Sequence, residues 1–351
     1  MSWLSDWAEA SDAFTELARQ RGEVERIPHG GRGPGGEELT VDVAVLGPTD
    51  ATRCVIVSSG LHGVEGVAGS AIQRRWLERE GAVAPRVVLV HALNPFGFAW
   101  TRRVDADNID LNRNFLLAGE EFAGTPPGWS WVSPWLAPGK PASRRDPLLP
   151  KVLLAAARMG RKSLVQAIGG GQYEAPRGLF YGGSGPAALQ QLLRDQLPRW
   201  TAGAKEVLHL DIHTGLGRSG KLQLLLPRRE GTAEADALMR RFGPDARPAL
   251  ATVRHYRVRG GLGAWCEALL PDHEYTLCAA EFGTVSALDA VAALHQESRA
   301  WFWGNRDDPA SVWARTRLAR AFAPISPAWR GRVFARGVHL IDQAVGRHGD
   351  D

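Results

Sequence analysis

Residues 55–66 read Val-Ile-Val-Ser-Ser-Gly-Leu-His-Gly-Val-Glu-Gly, so an apolar run passes directly into a glycine-rich turn. The apolar run is typical of a buried strand. The turn carries an imidazole, His62, and a carboxylate, Glu65, and its glycines leave space around both side chains. Because α/β proteins place their sites at the open ends of parallel strands, this stretch predicts an α/β fold with a site at one sheet edge.

A similar pattern occurs at residues 208–215, Leu-His-Leu-Asp-Ile-His-Thr-Gly, where His213 follows another apolar run. Two His and one Glu, each near a strand end, match the ligand set of a catalytic zinc that keeps one position open for water. A lone His beside a glycine is more often part of a turn or a hydrogen-bonded core residue. The four glycines around His62 and Glu65 weaken that explanation here.

Four other histidines are possible ligands by residue type. His91 and His209 lie within apolar strand patterns, so each is expected to be a core residue or to support a ligand. The pattern around His255 and His273 does not decide between a ligand and a structural role, so both remain candidates.

Composition and charge indicate a globular protein. The chain has 351 residues, of which 44% are hydrophobic and 23% charged, enough for one large α/β domain. Its net charge of +4 comes from scattered arginines, so no nucleic-acid partner is expected. Cys54, Cys266 and Cys278 form no Cys-x-x-Cys pair, which favours buried thiols in a reducing compartment. The N-terminus lacks a signal-peptide pattern and no run of 18 apolar residues occurs, so we expect a cytoplasmic protein without a membrane partner.

Alternating strand and helix patterns favour a single domain over residues 1–351, with a mixed, mostly parallel twisted sheet flanked by helices. The predicted strands are 39–46, 53–59, 86–93, 205–212, 222–226 and 275–280. The predicted helices are one within the first 25 residues, 67–80, about 150–168, 232–242, 262–269 and 286–303, followed by two in a C-terminal helical segment at about 308–345.

Residues at about 116–180 are expected to form an insertion packed on this domain. Their stretch at 126–135 is rich in Pro and Trp and does not predict one regular element. We expect this insertion to roof a cleft and to favour small or aromatic substrates.

Residues 101–115 concentrate arginine and asparagine side chains after the third predicted strand. A solvated loop of mixed charge is the simpler explanation of such a stretch. Arginine, however, binds carboxylates through paired planar hydrogen bonds, which suits a substrate with a free carboxylate.

Several motifs together resemble the zinc carboxypeptidase superfamily of M14 metallopeptidases. They are His-x-x-Glu at 62–65, Asn-Pro-x-Gly at 94–97, Asp-Leu-Asn-Arg-Asn-Phe at 110–115, and the distant His213. Within that superfamily, residues 60–66, Gln172-Tyr173 and residues 178–183 resemble a bacterial branch, DUF2817, related to succinylglutamate desuccinylase and aspartoacylase. The resemblance spans roughly residues 39–300 and implies a carboxypeptidase-like domain.

The resemblance also implies a metal and its ligands. One Zn²⁺ per chain would be bound by His62, Glu65 and His213. Asp110 would accept a hydrogen bond from a ligand imidazole, fixing its tautomer and raising its basicity.

Further roles follow from the same resemblance. Asn112 and Arg113 would bind the terminal carboxylate of the substrate. Arg103 would polarise the scissile carbonyl, with the neighbouring Arg102 as the alternative, and Glu281 would be the general base.

Carboxypeptidases of this superfamily also place a mobile tyrosine over the substrate. Spacing does not identify that residue here. Tyr181, Tyr173 and Tyr256 are candidates, of which Tyr181 is the first choice, although packing is the better explanation of each.

Glu281 has support that is independent of the resemblance. It follows the predicted strand 275–280, so its carboxylate should lie at the same sheet edge as the ligands. The alternative is a glutamate near the start of the helix predicted at 286–303. A glutamate at that edge can take a proton from water activated by zinc and pass it to a leaving amine.

The sequence therefore predicts a zinc hydrolase that cleaves an amide bond beside a free carboxylate, with carboxypeptidase as the first choice. An N-acyl-amino-acid deacylase is the alternative, because aspartoacylase and desuccinylase share the Gly-x-His-Gly-x-Glu pattern. A non-catalytic binding protein on the same scaffold is a third alternative. The partner would be a peptide or small molecule that carries a free carboxylate.

Overall fold

A computed structural model describes residues 3–137, 139–146, 148–227, 230–248 and 258–346. Within these ranges eight strands form one sheet: β1 (Glu23–Arg32), β2 (Glu38–Leu46), β3 (Arg53–Ser59), β4 (Arg86–His91), β5 (Glu206–Gly215), β6 (Leu222–Leu226), β7 (Ala246–Pro248) and β8 (Glu274–Gly283). The helices are α1 (Trp7–Arg19), α2 (Gly66–Leu77), α3 (Pro95–Ala99), α4 (Trp129–Leu136), α5 (Leu148–Met159), α6 (Arg161–Gly169), α7 (Ala188–Trp200), α8 (Ala233–Phe242), α9 (Leu262–Leu269), α10 (Ala287–Trp303), α11 (Pro309–Phe322) and α12 (Pro327–Val345).

The sheet is mixed, with parallel strands at its centre. Its strand order is β1-β2-β4-β3-β5-β8-β6-β7. The central pairs β4–β3, β3–β5 and β5–β8 are parallel, as is β6–β7. The pairs β1–β2, β2–β4 and β6–β8 are antiparallel. The predicted α/β class, with a mixed and mostly parallel sheet flanked by helices, is therefore confirmed.

Helices cover both faces of the sheet. On one face, alternate residues of β3 such as Val55 and Val57 pack with helices α1, α2, α8 and α12. On the other face, Ile56 packs with α7 and α9. Burial on both sides explains why the central strands read as nearly continuous apolar runs.

Residues 116–180 contain α4, α5 and α6, whose apolar side chains form a further core with α10 and α11. Trp129 and Trp135 are buried in this core, whereas Trp131 is exposed. Pro134 lies inside α4, so the Pro- and Trp-rich stretch is more regular than its composition indicates.

The structure differs from the predicted elements in several places. The sequence pattern does not predict β1, α7 or β7. β1 is an edge strand paired only with β2 and mostly exposed, so it lacks the apolar alternation that identifies a strand. The single helix predicted at 150–168 is wrong: α5 and α6 are separated by Gly160, whose φ is 76°. No helix among the described residues has the length and apolar character needed to cross a membrane.

Gly63 is the point where the turn after β3 approaches α3 most closely. A Cβ atom at residue 63 would lie 2.1 Å from the carbonyl carbon of Gly97. The Gly63 amide donates to the Arg103 carbonyl at 3.1 Å, and the Val64 amide donates to the Arg102 carbonyl at 2.7 Å. These contacts hold the loop that carries Arg103 against the turn that carries His62.

We expect Gly63→Ala to lower the free energy of unfolding by at least about 1–3 kcal/mol, because backbone atoms must move to admit the methyl group. Gly331→Ala is the matched control, since nothing lies within 4 Å of its Cβ position in α12. This control should instead raise stability by about 0.5–1 kcal/mol, because alanine is the better helix former. Denaturant unfolding measures both, and a Gly63→Ala variant as stable as the parent would contradict the prediction.

Candidate metal centre

Three buried side chains converge beyond the carboxyl ends of β3 and β5. Glu65 ends a 3₁₀ turn, Gly63–Glu65, and His62 precedes that turn. His213 lies near the end of β5. Their potential ligand atoms all lie within 4.8 Å of one another. The structure thus brings together the three predicted ligands, although His213 lies 148 residues beyond Glu65 in the chain.

Both imidazoles present the same nitrogen to one carboxylate. His62 Nδ1 is 2.9 Å from Glu65 Oε1, and His213 Nδ1 is 3.2 Å from Glu65 Oε2. The backbone amide of Thr214 donates to Glu65 Oε2 at 2.9 Å. The carboxylate is thereby fixed between the two Nδ1 atoms.

A second carboxylate contacts the far side of each imidazole. His62 Nε2 is 3.3 Å from Asp110 Oδ1, the carboxylate that is predicted to support a ligand imidazole. His213 Nε2 donates to Asp211 Oδ2 at 2.6 Å. Asp211 is not among the predicted site residues, although the alternation His-x-Asp-x-His in β5 places it on the same face as His213.

Arg103 belongs to this cluster and Arg102 does not. The Arg103 guanidinium donates to Asp110 Oδ2 at 3.0 Å and to Glu65 Oε1 at 3.3 Å, and its Nη2 is 2.6 Å from His62 Nε2. Arg102 points away and donates to Glu297 Oε1 at 2.8 Å.

Electrostatics in the cluster favour positive charge between the carboxylates. Burial by itself lowers the pKa of His213, but the Asp211 and Glu65 carboxylates outweigh it and raise that pKa well above its usual range. Burial raises the pKa of Asp110, yet Arg103 and Arg113 hold it well below the usual carboxyl range. These carboxylates are therefore ionised.

The donor set suits a divalent cation. Apart from the imidazoles, the ionisable groups among the described residues of the cluster are four carboxylates and two guanidinium groups: Glu65, Asp110, Asp211, Glu281, Arg103 and Arg113. The pKa values of Glu65, Asp110 and Asp211 are lowered, so with both imidazoles neutral these three carboxylates exceed the two guanidinium charges, which favours a bound cation. Two imidazoles and one carboxylate are ligands that Zn²⁺ accepts in catalytic sites.

Glu281 lies beside the cluster on the neighbouring strand. It is the register partner of His213 in the parallel pair β5–β8. Burial raises the pKa of Glu281; His213 opposes this effect and the Glu65 carboxylate adds to it. Its side chain is half-buried and makes no hydrogen bond to another described residue.

The predicted substrate residues occupy different environments. Asn112 is half-buried, and its Oδ1 accepts from the Leu262 amide at 3.2 Å. Arg113 is buried and donates to the Gly169 carbonyl from Nε at 3.1 Å and Nη2 at 2.7 Å. Its guanidinium thus joins the cluster to the end of α6.

The tyrosine candidates are packed where the structure describes them. The Tyr181 ring is buried in the core beneath α7 and α9, and the Tyr181 carbonyl accepts from the Asp110 amide at 2.7 Å. Tyr173 donates to the Arg113 carbonyl at 2.7 Å. Tyr256 and the histidine candidate His255 lie outside the described residues, and His273 is 3.3 Å from the Thr201 carbonyl, apart from the cluster.

Phe180 is a site residue that the sequence analysis did not single out. The guanidinium groups of Arg103 and Arg113 each lie 5.6 Å from its ring centre. Its φ of 57° is in the left-handed region, which is uncommon for a bulky residue. The motif at 178–183, which includes Phe180, could have identified this residue from the sequence. In the structure the Phe180 ring packs near both guanidinium groups.

We expect the purified protein to bind one Zn²⁺ per chain. His213→Ala removes a ligand and should therefore weaken zinc binding by more than about 100-fold. Loss of a residue that only supports a ligand typically weakens metal binding by about 10–100-fold. His339→Ala is the control, since His339 is exposed on α12. Metal analysis and chelator competition measure both, and an unchanged affinity in His213→Ala would exclude this site.

Comparisons with known proteins give a family and a set of similar structures. The family described as "Protein of unknown function (DUF2817)" matches residues 3–336, whereas no curated protein matches the chain. The murein-tripeptide amidase MpaA from Escherichia coli O157 is 19% identical with a TM-score of 0.41, covering 80% of this chain and 94% of that one. Thrombin activatable fibrinolysis inhibitor is 14% identical with a TM-score of 0.45, covering 91% and 75%.

Carboxypeptidase A from Helicoverpa armigera is 13% identical with a TM-score of 0.43, covering 92% of this chain and 74% of that one. Likenesses at this level do not establish a shared activity. The family match, by contrast, covers nearly the whole chain. The chain therefore belongs to the DUF2817 family.

Proposed function

We propose that the protein is a zinc-dependent hydrolase that cleaves an amide bond beside a free carboxylate, as metallocarboxypeptidases do. One observation carries the proposal: His62, Glu65 and His213 converge at the sheet edge where Glu281 is the register partner of His213. Metal-assisted hydrolysis requires a set of metal ligands and an adjacent carboxylate that can accept a proton, and Glu281 makes no side-chain hydrogen bond to the described residues.

The metal, bound by His62, Glu65 and His213, would supply Lewis acidity, which lowers the pKa of water and polarises a carbonyl. Glu281 would accept the proton of the attacking water at its carboxylate and deliver it to the leaving amine. Its half-buried position suits this role, because a raised pKa makes a carboxylate a better proton acceptor.

Arg103 would act on the substrate once its contact with His62 is released. A metal ion at His62 Nδ1 requires the hydrogen to be on Nε2, and an N–H group there can donate to Asp110 but cannot accept from Arg103. The guanidinium would then remain attached to Asp110 through Nε and direct its other nitrogens at the developing oxyanion.

Asn112 is the better-placed of the two residues proposed to bind the substrate carboxylate. Its Nδ2 group donates to no described residue, so it has free donors. Two nitrogens of Arg113 already donate to the Gly169 carbonyl, so Arg113 would attract the substrate carboxylate through its positive charge and not through these two nitrogens. Tyr181 stays a prediction for the mobile tyrosine.

An N-acyl-amino-acid deacylase is the second candidate. The three ligands are at most 4% exposed, and the end of α6 contacts Arg113 beside them. A closed site of this kind favours a small substrate over a long peptide. A hydrolysis screen of dipeptides, N-acyl amino acids and longer peptides, with and without zinc chelation, distinguishes the two activities.

We expect Glu281→Gln to lower kcat by about 10²–10⁴-fold, because the amide cannot accept the proton, while zinc remains bound. Glu274→Gln is the matched control, at the opposite end of the same strand. Steady-state kinetics and metal analysis of both variants test the assignment. Retained turnover in Glu281→Gln would refute its role as base, and a parent protein without bound zinc or zinc-dependent hydrolysis would refute the proposed function.

A further inference from the structure

A buried chain of hydrogen bonds runs from the metal centre into the core beneath α7 and α9. Asp211, which contacts His213, accepts from the Ser58 hydroxyl at 2.6 Å. Ser58 Oγ is 2.7 Å from His209 Nε2, and His209 Nδ1 is 2.6 Å from the Tyr275 hydroxyl. All of these side chains are at most 4% exposed.

The strand register places this chain of hydrogen bonds on one face of the sheet. Ser58 of β3 is the register partner of Asp211, and residues 209, 211 and 213 alternate with apolar residues along β5. Tyr275 lies on the same face of β8, as the partner of Val207. Leu208, Leu210 and Ile212, on the opposite face of the same stretch of β5, are apolar core residues, so four linked polar groups here are not required for packing.

Only one assignment of donors and acceptors is consistent along this chain of hydrogen bonds. Ser58 has a single hydrogen, which it donates to Asp211, so its oxygen must accept from His209 Nε2–H. Burial lowers the pKa of His209 to about 4, so its imidazole is neutral and Nδ1 must accept from the Tyr275 hydroxyl. Asp211 uses its other oxygen to accept from His213 Nε2–H. The lone pair of a neutral His213 is therefore on Nδ1, which faces Glu65.

We propose that Ser58, His209 and Tyr275 are positioning residues for the metal, which orient Asp211 and so hold His213 in the one tautomer that can act as a ligand. The inference rests on the proposed function only in requiring a metal at His62, Glu65 and His213. Because Ser58 holds one carboxylate oxygen of Asp211, the other oxygen stays directed at the His213 imidazole. Loss of one bond would also leave a buried polar group unpaired, which disturbs the next link.

Ser58 and Ser59 provide a matched test, because they are adjacent in β3 and both have buried hydroxyl groups. Ser59 lies on the opposite face and donates to Gln73 Oε1 at 3.0 Å, outside the chain. We expect Ser58→Ala to weaken zinc binding by about 10–100-fold, and Ser59→Ala to change it by less than about twofold. Chelator competition gives the affinities, and denaturant unfolding checks that both variants fold.

A second variant and a spectroscopic readout keep the test decisive if Ser58→Ala folds poorly. Tyr275→Phe keeps the ring and removes only the terminal hydroxyl, so it should weaken zinc binding less than Ser58→Ala but more than Ser59→Ala. The visible spectrum of the Co²⁺-substituted protein should change in Ser58→Ala and Tyr275→Phe and stay unchanged in Ser59→Ala. Ser58→Thr, which retains a hydroxyl, should restore the affinity.

The two proposals fail in different ways. Zinc affinities and Co²⁺ spectra that are the same in Ser58→Ala, Tyr275→Phe and Ser59→Ala would overturn the positioning role, whatever the activity. A parent protein that binds zinc in this pattern but hydrolyses no amide would overturn the proposed function and leave the positioning role standing. A parent protein that binds no divalent metal would overturn both.

Discussion

The parallel pairing of β3, β5 and β8 is the constraint on which the rest of the site depends. Parallel strands end at the same edge of a sheet, so turns that are far apart in sequence meet there. The register pairs Ser58 with Asp211 and His213 with Glu281. A shift of one residue in either pairing would move these side chains to the opposite face, into an apolar core. Register therefore decides whether the candidate metal centre can form.

Charge imposes a second constraint on the same edge. Several ionised carboxylates lie close together in a buried region, where an unpaired charge is costly. Arg103 and Arg113 balance part of this charge, and each is held in turn by a distant segment. The Arg103 backbone carbonyl accepts from the Gly63 amide, while the Arg113 guanidinium donates to Gly169 at the end of α6. Folding of residues 116–180 thus helps to complete the candidate metal centre.

The regular elements that bury apolar faces could be predicted, and the others could not. The patterns at 53–59 and 222–226 correspond to β3 and β6 without change, and the helix at 262–269 corresponds to α9. β1 was missed because an exposed edge strand has no buried face to produce apolar alternation. The pattern did not predict the break at Gly160. A single glycine within a helical pattern is compatible both with a continuous helix and with a break, so it does not specify where one helix ends.

The sequence by itself determined the chemistry of the candidate ligands, because His62, Glu65 and His213 each follow a strand pattern and carry side chains that zinc accepts. It also indicated Glu281 through the end of a predicted strand. Only the tertiary structure decided that Asp211 supports His213, that Arg103 and not Arg102 joins the cluster, and that Ser58, His209 and Tyr275 are linked. Those relations depend on distances across strands and between loops, and local sequence patterns do not specify such distances.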